Sequence, residues 1–284
     1  MKKIFSAIFL IFLSSSLSAQ TYLKVMSYNI RQSLANDHSN NWCYRRGASE
    51  RMIQTERPAI MGLQEACPEQ LQFLDSVLVN YKHIGVGRDD GILEGETMAI
   101  YYDTSLFDLV KWGTFWLSET PEKVSFGWDA ACHRTCTWSL MKLRSNGRKI
   151  AFFNTHLDHV GHVARREEVK LIALKVKELI DTLDIPVILA ADFNTPADNP
   201  IFAPLKDVML EARSSCAVTD RRNTFNNWGK TEGGDVNSDG EECIDHIFYR
   251  GVKGLEFKVL TQNFGAPYIS DHYPITCDFY VEGQ

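Results

Sequence analysis

The chain has no apolar run of the ~20 residues that a membrane-spanning helix needs. It also has no CxxC pair, no internal repeat and no run of basic side chains. The first absence excludes a spanning helix, and the second removes the usual spacing of a zinc site. The third excludes a solenoid. The fourth, with a formal net charge of −6, argues against loose adhesion to nucleic acid or anionic membrane. An acidic chain can still cut a phosphate ester, because a bound divalent cation supplies positive charge locally. What is present is ordinary folded composition: 284 residues, 44% hydrophobic, 11% aromatic and 23% charged. That is enough for a sizeable core. With no Pro/Gly/Ser-rich linker, a single domain over residues 20–284 is the simplest organisation.

The opening stretch, MKKIFSAIFLIFLSSSLSAQ, sets Lys2 and Lys3 before an apolar run over residues 4–13 and small residues up to Ala19. That order is the pattern of a secretory signal peptide, and the apolar part is too short for an anchor. It predicts cleavage near Ala19 and an exported protein, periplasmic or extracellular, without membrane insertion. Such a protein is expected to act as a monomer. Seven cysteines follow (43, 67, 132, 136, 216, 243 and 277). An odd count leaves at least one unpaired, and most are expected to be buried small hydrophobes.

Strand-like runs cover residues 23–30, 97–102, 137–143, 149–156, 187–191, 244–249 and 273–279. Asn146-Gly147 separates two of them and predicts a type I′ hairpin, so that pair is antiparallel. Helical spacing of Val169, Ile172, Ala173, Val176, Leu179, Ile180 and Leu183 predicts a helix over 165–183. A second helix is expected within 46–56, ending before Pro58. Strands with interspersed helices and a hairpin give an α/β domain with mixed sheets.

Polar residues gather at the ends of these runs. KVMSYNIR carries Asn29, IMGLQE carries Glu65, and IAFFNTHLDH carries Asn154, His156 and Asp158. VILAADFN ends in Asp192 and Asn194, CIDHIFY carries Asp245, and SDHYPI carries Asp271 and His272. One such residue is an ordinary turn or cap. Several together are how converging strand ends build the site of an α/β enzyme.

The ordered set SYNIR, GLQE, NTHLDH, ADFN, IDHIF and SDHYP resembles the endonuclease/exonuclease/phosphatase family over nearly the whole chain. The resemblance implies a four-layer α/β sandwich, two mixed β-sheets face to face with helices outside. It implies a phosphoester hydrolase using Mg2+ or Mn2+. Glu65 would be the direct metal ligand, with Asn29 beside it and Asp271 as a further ligand. His272, oriented by Asp245, would be general base or transition-state donor. His156 would donate to a phosphate oxygen and be oriented by Glu96. Asp192 would orient water or protonate the leaving group, and Asn194 would donate to the phosphate. Asn154, Asp158, Arg134 and Arg165 are candidates for contacts with substrate.

The substrate is less legible. Lack of a basic run favours a small phosphorylated substrate, with endo- or exonuclease action on nucleic acid fragments, DNA or RNA, as the alternative. A third alternative is a non-catalytic glycan- or nucleotide-binding protein using the segment with Trp112, Trp116, Trp128 and Trp138. Asp235, Asn237 and Asp239, before Gly240, fit the opening of a calcium loop and suggest a structural Ca2+. The twelfth position is His246 rather than glutamate, which departs from that pattern. N-terminal sequencing of protein recovered from outside the cytoplasm is expected to start at Gln20. A chain that retains Met1 there would overturn the signal-peptide reading.

Overall fold

The computed structural model describes residues 21–231 and 243–282. The leader and the calcium-loop residues Asp235, Asn237 and Asp239 lie outside the described residues. Strands are numbered in chain order. One sheet holds β1 (Thr21–Asn29), β2 (Ile60–Ala66), β3 (Tyr81–Ile84), β4 (Thr97–Asp103), β10 (Val218–Thr219), β12 (Lys253–Val259) and β13 (Ile275–Val281). The other holds β5 (Phe107–Trp116), β6 (Thr135–Leu143), β7 (Lys149–His156), β8 (Val187–Asp192), β9 (Leu210–Glu211) and β11 (Asp245–Arg250). Their orders are β10-β12-β13-β1-β2-β4-β3 and β5-β6-β7-β8-β11-β9. Both are mixed, with β1 parallel to β2 and β7 parallel to β8.

Period-two alternation along the strands decides the layers. Leu23, Val25, Ile60, Ile100, Phe152, Ile188 and Ile247 meet between the sheets. The alternate residues face helices. Met26, Tyr28, Met61 and Leu63 pack with Met52 and Ile53 of α1 (Trp42–Glu56) and Leu71 and Leu74 of α2 (Pro68–Val77). Phe153, Leu189 and Phe248 pack under Val169, Ile172, Val176 and Ile180 of α3 (His162–Leu183). Helix, sheet, sheet, helix is the four-layer sandwich expected. α1 and α3 start at Trp42 and His162, earlier than the expected 46 and 165. Each ends on a left-handed residue, Arg57 and Asp184, and Arg57 precedes Pro58.

One sequence expectation needs correction, and the structure places other residues that the sequence singled out. The β6–β7 connection is a hairpin, but only Gly147 has positive φ, at 76°. A type I′ turn needs it at both central residues, so the turn is a longer loop closed by one left-handed glycine. His246, the twelfth position of the calcium pattern, belongs to the core, while Asp235, Asn237 and Asp239 of the loop before it lie outside the described residues. His246 is fully buried in β11, its ring among Phe193, Phe202 and Phe248. Among the four tryptophans Trp112 is exposed and Trp128 half-buried, while Trp116 is buried and donates to the Arg88 carbonyl and the half-buried Trp138 stacks on Phe153. All seven cysteines are unbridged, and five of them are buried.

Polar groups also stitch the two sheets together. Asn154 on β7 is fully buried, and its Nδ2 donates across the sandwich to the carbonyls of Leu63 and Ala99, 2.8 Å each. Its Oδ1 accepts from Gln64 Nε2 at 2.7 Å, which also reaches Ser27 Oγ. Gly62 makes room for this contact, since a Cβ there would lie 2.6 Å from Asn154 Oδ1. Both ends of the Asn154 amide, expected to contact substrate, are engaged between the sheets. Asn154→Ala is predicted to lower unfolding free energy by about 2–5 kcal/mol in urea titration, because buried groups lose their partners. KM should stay unchanged, and a raised KM at unchanged stability would restore the substrate-binding reading.

Candidate active site

The inner face of each strand, continued past the core, becomes polar where the sandwich opens. Asn29 ends β1, two residues beyond Ser27 and on the same face as Val25. His156 ends β7 in step with Phe152 and Asn154, and Asp192 ends β8 in step with Ile188 and Ala190. Asp245 begins β11 in step with Ile247. Strand pairing then sets His156, Asp192 and Asp245 in one row, since Asp192 is opposite both others. Glu65 should point to the helices by alternation. A register break between Leu63 and Ala66 and a φ of +60° at Glu65 turn it toward Asn29 instead.

The groups converge on Asp192 Oδ2. Asn29 Nδ2 donates to it at 2.8 Å and to Glu65 Oε1 at 3.0 Å, joining the two sheets' contributions. His156 Nε2 lies 3.4 Å and His272 Nε2 3.7 Å from the same oxygen. His272 Nδ1 is 2.9 Å from Asp245 Oδ2, so aspartate and histidine pair as the sequence suggested. Phe225 packs on the His272 ring at 5.0 Å. Asp271 accepts from Ser270 Oγ and faces Arg31 at 3.6 Å.

Burial sets the acidities. Asp192 is pushed up to about 7 by burial and by Asp245 beside it. Burial opposes charge on His272, but Asp245 and Asp192 outweigh it and hold its pKa well above the usual histidine value. His156 goes the other way: burial, then the charges of Arg134, His272 and Arg88, drive it well below that value. Asn194 Nδ2 donates to the Leu157 carbonyl and faces His156 Nε2 at 2.9 Å, so that nitrogen accepts and the ring is neutral. Asp271 is raised by burial, with Glu65 adding to it.

Asp192, Asp245 and His272 bring ligand-type atoms within 4.8 Å of one another. Glu65, Asn29 and Asp271 add hard oxygen donors on the facing side. Carboxylate and amide oxygens in such a cluster are hard donors, and this set fits a divalent ion such as Mg2+ or Mn2+. Cys132, Asp158 and His159 also meet the distance, but Arg134 lies among them, against both Asp158 and His159. A guanidinium already supplies the positive charge there.

The sequence pattern of the Endonuclease/Exonuclease/phosphatase family matches residues 26–272. The chain belongs to this family. A Bacteroides thetaiotaomicron mannosyl-6-phosphatase has 37% identity and a TM-score of 0.83, covering 90% of this chain and 99% of that one. A Bacteroides vulgatus endonuclease/exonuclease/phosphatase has 33% identity and a TM-score of 0.85, covering 92% and 100%. Nocturnin of Drosophila melanogaster is 23% identical over 90% of this chain, which spans 46% of Nocturnin's length. Members of the family are phosphoester hydrolases.

In this family member Glu96 does not orient His156. It pairs with Arg88 at 2.6 Å, and burial beside Glu65 raises its pKa to about 7. His156 Nδ1 is buried without a hydrogen-bond partner. Asp158 is fully buried and accepts from the amides of Ala131, Val160 and Gly161, so it organises loops and has no surface for substrate. Arg134 and Arg165 are turned inward to Asp158, His159 and His162. The sequence reading missed Thr224, whose Oγ1 accepts from the Asp245 amide, and Ser270, whose hydroxyl donates to the Asn29 carbonyl. Ser270 stood in the SDH motif, while Thr224 gave no signal. In EDTA, the His272 ring followed by NMR is predicted to stay protonated well above pH 6.5. Asp245→Asn should move its midpoint down, and an unmoved midpoint would show that Asp245 does not hold the charge.

Proposed function

We propose that the protein is an exported, divalent-metal-dependent phosphoesterase acting on a soluble phosphate monoester of a sugar. The observation that carries the chemistry is the convergence of Asn29, His156 and His272 on Asp192, with Glu65 adjoining from the other sheet. The substrate class is supported by 37% identity to a mannosyl-6-phosphatase over 90% of the chain. The acidic charge points the same way, away from long polyanions. Export rests on the N-terminal sequence pattern.

Glu65, with Asn29 and Asp271, would hold Mg2+ or Mn2+, and Asp192 faces the same space. Such an ion supplies charge compensation at the phosphoryl oxygens. Asp192, with acidity lowered to near neutrality, accepts the proton of the attacking water. His272, kept cationic by Asp245, faces the charge that grows on the phosphoryl group. Asn194 orients His156 and stands beside it as a donor.

Purified residues 20–284 should release phosphate from mannose 6-phosphate with Mg2+ or Mn2+ and not with EDTA. Asp192→Asn and His272→Ala should each lose about 10²–10⁴-fold in kcat with the fold retained. Full turnover in both variants would remove these roles. Cleavage of DNA or RNA with no phosphate release from sugar phosphates would replace the sugar reading with a nuclease.

A further inference from the structure

Arg45 is a cation that the catalytic reading leaves unused. It is 1% exposed on the inner face of α1. Its guanidinium donates to four backbone carbonyls, those of Asn40, Ile30, Ile269 and Arg31. None of these partners is a carboxylate. The rings of Trp42 and Trp228 flank it at 5.2 and 5.5 Å. Burial lowers its pKa, as expected for a charge taken out of water.

The carbonyls belong to segments that matter. Ile30 and Arg31 directly follow Asn29, and Ile269 directly precedes the Ser270-Asp271-His272 turn. The Tyr28 hydroxyl shares the Ile269 carbonyl at 3.0 Å, and Gln70 shares that of Arg31 at 2.9 Å. Trp228 sits on the turn where the amides of Asn226 and Asn227 donate to the Asp271 carbonyl. One side chain thus holds the end of β1, the turn before β13 and the turn around residue 228.

We propose that Arg45 is a positioning residue that fixes Asn29 against the Asp271-His272 turn, so that the metal-facing oxygens stay in register. The proposal rests on the phosphoesterase reading of that site. A guanidinium suits the task because its planar fork sends donors in several fixed directions at once. Lysine keeps the charge but offers donors from a single point, so carbonyls on one segment or another are released.

Arg45→Lys tests this in the chain of residues 20–284, with Arg46→Lys as control, since Arg46 is exposed on the same helix and covers the Phe73 ring. Mn2+ affinity is read without substrate by electron paramagnetic resonance, and kcat and KM well below the melting temperature. For Arg45→Lys, Mn2+ affinity should weaken about 10-fold and kcat fall about 10- to 100-fold. KM should stay within about threefold. Arg46→Lys should match wild type. A lower melting temperature with wild-type kcat and Mn2+ affinity would make Arg45 merely structural and overturn the proposal.

If Arg45→Lys fails to fold, Trp228→Leu decides, because it removes a flank that holds the guanidinium against the carbonyls and so loosens its grip on them. Weakened Mn2+ binding and kcat would support the proposal, and wild-type values would overturn it. If wild type hydrolyses no ester yet binds Mn2+, the phosphoesterase reading fails while the Mn2+ comparison still judges Arg45. A wild type that binds no Mn2+ and hydrolyses nothing overturns both.

Discussion

A carboxylate with 1% of its surface exposed keeps its charge only if neighbours replace the water it has lost. Asp192 is that group, at the meeting point of two sheets. Its Oδ2 takes an amide donor from β1 and faces the cationic imidazole of His272 from the turn before β13, and its Oδ1 takes the backbone amide of Asn194. None of these partners is close in sequence except Asn194. The strand register that brings them there is fixed by apolar side chains far from the site, because a one-residue slip would turn every inner residue outward. The core between the sheets therefore acts on chemistry through alignment.

The backbone around this carboxylate breaks local rules in a consistent way. Arg31, Glu65 and Asn194 have φ of 58°, 60° and 50°, a region costly for residues with a Cβ. Each departure is tied to a polar contact. Asn29 Oδ1 accepts from the Arg31 amide, and Asp192 Oδ1 accepts from the Asn194 amide, the same turn at the ends of two strands in different sheets. Glu65 accepts from the Gln32 amide. Strain of order 1–3 kcal/mol per residue persists where surrounding bonds over-determine it. Arg45 belongs to that over-determination, since it grips the carbonyls on either side of the first turn.

Much of this was legible in the sequence, because the information is local. Period-two apolar runs give the strands, and the polar residue that ends each run on its inner face gives the site: Asn29, His156, Asp192 and Asp245 follow from that rule. Glu65 does not, since alternation sends it outward and only the bulge brings it in; its motif identified it where its pattern could not. Asn154 and Asp158 share the NTHLDH motif with His156, yet their side chains are spent on packing the sheets and the loops. Sequence shows that a polar residue stands at a strand end, and three-dimensional partners decide what its atoms have left to offer. Glu96 is the same case, its carboxylate claimed by Arg88 eight residues away. Thr224 and Phe225 lie in a segment without regular pattern, so nothing in the sequence marked them as support for Asp245 and His272.

Charge distribution is compatible with the anionic substrate proposed for this acidic protein. Carboxylates cluster on the side of Asp192, Asp245, Asp271 and Glu65, while burial, then Arg134, His272 and Arg88, keep His156 from taking a proton. Arg88 and Arg134 are already paired with Glu96 and Asp158, so in the proposed reaction the positive charge facing a phosphate would be that of His272 and of a divalent ion offsetting the carboxylates. Anion affinity is then confined to the site rather than spread over the surface. A polymer would need cations continuing along its track, and the sequence has no basic run to provide them. A small phosphate ester presents one phosphate to one site, so the charge pattern that counts against a duplex track is compatible with the compact monoester proposed.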